Sequence, residues 1–79
     1  MKTPQLLSQL QTAHEARISG FTPELPDDFR VRLQELGFRE GTFVRCLRKT
    51  PLGGPHVFEI NGAVFSLESS VAQKVLLHV

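Results

Sequence analysis

The dipeptide Asn61-Gly62 stands between two short runs rich in strand formers, Val57 to Ile60 and Ala63 to Leu67. A two-residue hairpin of type I′ needs positive φ at both central residues, and Asn-Gly is the pair that supplies this most readily. A tight antiparallel hairpin is therefore the first element to place. Thr42 to Lys49 is another β-rich run. It is joined to the hairpin by the turn cluster Thr50-Pro51-Leu52-Gly53-Gly54-Pro55. Pro51 suits the second position of a turn there, and Gly53 the fourth.

The rest of the chain fits around these strands. Ala16 to Phe21 reads as a strand with Ala16 and Ile18 inward, and Gly20 permits a bulge. Lys74 to Val79 reads as a closing strand with Val75, Leu77 and Val79 on one face. Pro26-Asp27-Asp28 opens a helix, because the acidic pair complements the positive helix N-terminus. Phe29, Leu33 and Leu36 fall on one face of it, and Gly37 sits where a left-handed cap is wanted. A second, short helix is expected from Thr3-Pro4, with Leu6, Leu7 and Leu10 as its stripe, and a helical turn from Glu68 to Gln73. The expected fold is mainly β with helices. Five short strands close into a small barrel, which removes their open edges. One helix precedes the strands, and another lies between strands one and two.

Composition sets limits on function. Seventy-nine residues make a single domain, 1–79, with a thin core and no deep cavity. The net charge of +1 lacks the basic excess of a phosphate-binding surface, which argues against nucleic acid as a partner. No apolar run approaches the roughly 20 residues of a membrane span. The N-terminus lacks a signal-peptide core, and the lone Cys46 permits no internal disulfide. These features point to the cytoplasm and against direct membrane insertion.

No catalytic set assembles. His14, His56 and His78 are far apart and share no ligand motif, so they read as solvated side chains. His56 with Glu59 is the one weak divalent-metal candidate; no resident cofactor is expected. Cys46 lies mid-strand on the face of Val44 and reads as a small buried hydrophobe. Arg45, Arg48 and Lys49 read as a solvated strand face, without Trp or Tyr for base stacking. With no nucleophile–base pair, the chain is not expected to be an enzyme. Leu52, at the tip of a Pro/Gly turn, and Phe38, just past the helix, are apolar residues where polar ones would be cheaper. Each is either core or a partner contact.

The order of motifs resembles the FeoA family. Leu33-x-x-Leu36-Gly37-Phe38-x-x-Gly41 is followed by a strand, by Pro51-Leu52-Gly53-Gly54-Pro55, and by a hairpin. The resemblance covers almost the whole chain and is strongest from Phe29 to Leu67. It implies an SH3-like barrel and a cytosolic accessory protein of bacterial ferrous-iron uptake that acts on FeoB, a membrane permease with a G-protein domain. The implied contact residues are Pro51, Leu52, Gly53, Gly54 and Phe38, with Leu52 as anchor. The same fold occurs in DtxR-type repressors, so a metal-responsive regulatory module is the alternative reading. Glu68 stands where family members usually carry Arg. An apolar loop and open strand edges also permit a weak homo-oligomer.

Overall fold

A computed structural model describes residues 5–78. The elements run β1 (Gln5–Leu6), a 3₁₀ turn (Leu7–Gln9), β2 (Glu15–Phe21), α1 (Asp27–Leu36), β3 (Phe43–Lys49), β4 (His56–Ile60), β5 (Ala63–Leu67), α2 (Ser69–Ala72) and β6 (Val75–Leu77). The strands form one antiparallel sheet in the order β1-β6-β2-β3-β4-β5.

β2 is the hinge of the sheet. Its first half, Glu15 to Arg17, pairs with β3, while Ile18 to Phe21 pairs with β6. The register shifts between Ile18 and Gly20, as the glycine had suggested. This irregularity lets one strand pass from one half of the sheet to the other and wrap both around a common core. Leu7, Ile18, Val44, Cys46, Phe58, Ile60, Val75 and Leu77 fill that core. The burial of Cys46 agrees with its strand parity.

The Asn61-Gly62 hairpin forms in the expected register, with Ile60 opposite Ala63 and φ values of 52° and 82° at the two turn residues. α1 also forms as expected, and it ends in a cap built on Gly37 at φ 115°. The Gly37 N–H donates to the Gln34 carbonyl at 3.1 Å, and the Phe38 N–H to the Leu33 carbonyl at 2.9 Å. That pair of bonds is the Schellman pattern, which brings an apolar residue after the glycine against the last turns of the helix.

Several expectations are corrected. The N-terminal helix does not form over the described residues. Gln5 and Leu6 pair instead with Leu77 and Leu76 as a sixth strand. A single 3₁₀ turn then brings Leu7 and Leu10 into the core, so three-residue spacing served one turn and not a helix. Thr3, Pro4 and Val79 lie outside the described residues. Among the described residues the barrel does not close by hydrogen bonding, and β1 and β5 stand at the edges of the sheet. The turn after β3 is shifted by one residue: the Gly54 N–H donates to the Pro51 carbonyl at 3.4 Å. Pro51 is thus the first turn residue and Gly53 the third.

Candidate functional site

The loop between β3 and β4 is held from three directions. The Thr50 N–H donates to the Pro55 carbonyl at 3.3 Å, which extends the ladder beyond Lys49 and His56. The Pro51–Gly54 bond closes the turn. The Ser69 hydroxyl of α2 donates to the Gly53 carbonyl at 3.0 Å and ties the loop to the helix. Leu52 and Gly53 have φ of 62° and 77°, which is again the type I′ shape.

Most residues of this loop are explained by its geometry. Gly53 meets a positive φ. At Gly54 a Cβ would lie 2.6 Å from the Thr50 methyl group, so only glycine fits. Pro51 and Pro55 stiffen the two ends. Leu52 has no such reason. Its side chain is fully exposed, and left-handed backbone costs a leucine about 1–2 kcal/mol. The residue therefore carries two costs from which the fold gains nothing.

Of the other expected contacts, Pro51 and Gly53 are exposed and Gly54 is half-buried. Phe38 is not a contact. It is 0% exposed, packed in the core with its ring edge-on to Phe65 at 5.7 Å. The sequence signal for this was available: an apolar residue directly after a capping glycine is the inward partner of the helix end.

His56 is also corrected, from solvated to buried at 8% exposure. It shares the inward parity of Phe58 and Ile60, and starting the strand one residue earlier would have shown this. Its Nδ1 has no hydrogen-bond partner among the described residues. Burial, and then the Lys49 ammonium, push its pKa below the usual 6.5. Glu59 has the opposite parity, so β4 holds the two side chains on opposite faces. His56 and Glu59 do not fit a shared metal site. Among the described residues no three His, Cys, Asp or Glu side chains are grouped to hold an ion. His14 and His78 are exposed. On the outer face Arg45 stands in register between Glu15 and Glu59, so its charge is locally balanced.

One feature was not legible as a site. α1 buries only Leu33 fully, and Phe29 and Leu36 stay 45% and 41% exposed. They wall an open groove of about 340 Å³ between α1 and the β5–α2 segment. Leu33, Leu67 and Val71 line it, with Arg32 and Glu68 also at its border.

A bent antiparallel sheet of six short strands with two helices is the architecture of a small SH3-like domain. The chain belongs to the FeoA family: the model of the FeoA domain matches residues 5–79. FeoA of Stenotrophomonas maltophilia, solved in complex with zinc and described as a possible bacterial ferrous iron transport activating factor, is 30% identical with a TM-score of 0.82. That match covers 94% of this chain and 89% of that one. The FeoA protein of Chlorobium tepidum is 27% identical with a TM-score of 0.85, covering 95% of this chain and 70% of that one. A manganese-dependent transcriptional repressor shares the fold at 19% identity and a TM-score of 0.80. It matches over 98% of this chain, which spans 43% of the repressor. A comparison with curated proteins found no match. No helix among the described residues is long and apolar enough to cross a membrane.

Proposed function

We propose that this chain is an accessory protein of bacterial ferrous-iron uptake in the cytoplasm, acting by docking the Pro51–Pro55 loop onto the FeoB permease. Leu52 is the apolar anchor, and iron is the cargo of the permease, with no chemistry done on it by this chain. The observation that carries the reading is Leu52 itself, fully exposed on left-handed backbone in a loop otherwise shaped by necessity. A rigid loop loses little entropy on docking, so an apolar tip on such a loop is well suited to binding. Family membership supplies the link to ferrous-iron transport. The Gly37–Gly41 turn offers no apolar contact, since Phe38 is withdrawn into the core.

The test is Fe²⁺ uptake in cells carrying Leu52→Asp, with the fold of the variant checked by circular dichroism. Uptake is expected to fall toward that of cells lacking the protein. Unchanged uptake with a folded variant would sink the loop assignment. The likeness in fold to the manganese-dependent repressor favours a second reading, a metal-responsive regulatory module. That reading requires the purified chain to bind Fe²⁺ or Mn²⁺; docking does not.

A further inference from the structure

His56 is a costly residue in the wall of the core, as Leu52 is at the loop tip, and a bulge sets its surroundings. The register of β3 against β4 shifts between Cys46 and Arg48, with Leu47 as the extra residue. Leu47 and Arg48 are therefore both exposed, and Lys49 falls opposite His56. Residues directly opposite in an antiparallel pair share a face, so the half-buried Lys49 stands beside the buried imidazole. On the other flank β5 sets the uncharged Leu67 opposite His56. Cys46 is the other titratable group on that side of β3, and Glu59 points away. Among the described residues no ion pair engages His56, and its Nδ1 has no hydrogen-bond partner. A phenylalanine would fill the position without an orphaned nitrogen, so folding alone does not account for the histidine.

Its position is the root of the Leu52 loop. His56 is the first residue of β4, and the bond from the Thr50 N–H to the Pro55 carbonyl is the last rung before the turn. We infer that His56 is a proton-operated latch for this loop: neutral, it lies in the core and holds the loop base shut; protonated, it leaves for water and opens the Lys49–His56 pair and the Thr50–Pro55 rung. The charged ring is poorly solvated in the core and is repelled by Lys49. Strand ends open locally while the rest of a sheet stays paired. Pairing from Cys46–Phe58 through the Asn61-Gly62 hairpin is therefore kept. Ser69 still holds the Gly53 carbonyl, so the loop swings on that bond. The apolar tip then loses its fixed presentation, and docking bears the entropy of ordering the loop again. That effect on docking rests on the permease reading; the latch itself does not. The latch is closed above the ordinary histidine value of 6.5 and opens as pH falls through the lowered value of the folded chain.

An NMR titration of the purified chain from about pH 8 to 4 is the experiment. The His56 ring should titrate with a midpoint below 6.5, and the Leu52 methyl and the Thr50 and Gly54 amide signals should move with the same midpoint. The Ile18 and Val44 amides of the core should stay in place over that step. Lys49→Met should raise the ring and loop midpoints together. Ser69→Ala should loosen the loop at every pH and leave the midpoint where it was. His56→Phe, or His56→Leu should the first fail to fold, should leave the loop signals flat. A His56 ring that does not titrate in this range, or does so at or above 6.5, overturns the latch. So do loop signals that ignore the ring, a loop transition that survives in His56→Phe or His56→Leu, or a core that moves together with the loop.

Discussion

Two turns in this molecule share one backbone shape and differ in what fills it. Asn61 and Gly62 close the β4–β5 hairpin at φ 52° and 82°; Leu52 and Gly53 close the β3–β4 loop at 62° and 77°. The first pair consists of residues that adopt these angles at little cost. The second begins with a leucine, which does not, and which the turn presents entirely to solvent. Identical geometry with unequal residues separates the demands of folding from those of something else. Where folding alone chose, the turn has its best sequence. Where a costly residue persists, its use lies outside the fold, and the loop is the place to look for a partner.

The sharpest way to break this distinction is to remove an apolar residue that the fold does use. Phe38 and Leu52 both follow the logic of an apolar residue beside a glycine, yet only Phe38 is buried. Phe38→Ala should cost about 3–5 kcal/mol in urea denaturation, whereas polar replacement of Leu52 should cost nothing measurable. Comparable losses at the two positions would erase the contrast.

An exchange between the two turns gives a smaller effect of opposite signs. Asn61→Leu should destabilise by about 1 kcal/mol, and Leu52→Asn should stabilise by up to the same amount, because only asparagine tolerates left-handed backbone. Thermal melts of both variants measure the pair. Two changes of the same sign would mean that the loop leucine serves folding after all.

The smallest effect concerns His56, at the foot of the Leu52 loop. Its pKa in the folded chain lies below the unfolded value of 6.5, first through burial and then through Lys49. Its contribution to stability is therefore complete above pH 6.5 and is lost as pH falls through the lowered folded value. Cys46 on β3 faces the same core side, and Glu59 faces away from it. The melting temperature of the wild type should fall more steeply between pH 7 and 5 than that of His56→Phe, with pH read against the usual histidine range. Parallel slopes would remove His56 from the acid response.

Much of the architecture was legible because it rests on short-range rules. Strand alternation placed Ile18, Val44 and Cys46 inward, and the acidic start and glycine cap bounded α1 within a residue or so. The errors arose where a local rule had more than one solution. Leu7 and Leu10, three apart, fit a helix or a single 3₁₀ turn, and pairing of Gln5 and Leu6 with β6, some 70 residues on, decided for the turn. His56 lay at a strand boundary, and the inward parity of Phe58 and Ile60 extends to it only when β4 starts one residue earlier. In the β3–β4 loop, Pro and Gly announced a turn without fixing its register.

The candidate site divides in the same way. Leu52 could be singled out from sequence, as an apolar residue in a turn of proline and glycine. That it is fully solvent-exposed is set only by the assembled fold, whereas the burial of Phe38 could be read from its place directly after the capping glycine. The groove beside α1 was invisible, because its walls come from residues about 30 to 40 positions apart, Phe29 and Leu36 on one side and Leu67 and Val71 on the other. By itself the sequence determined the hairpin, the helix and its cap, the inward faces of the strands and the family, all of which follow from neighbouring residues. Tertiary structure alone decided the sixth strand, the open edges, the start of β4 and with it the burial of His56, the full exposure of Leu52, and the groove beside α1. Those depend on contacts between distant segments, whose free energy no local pattern records.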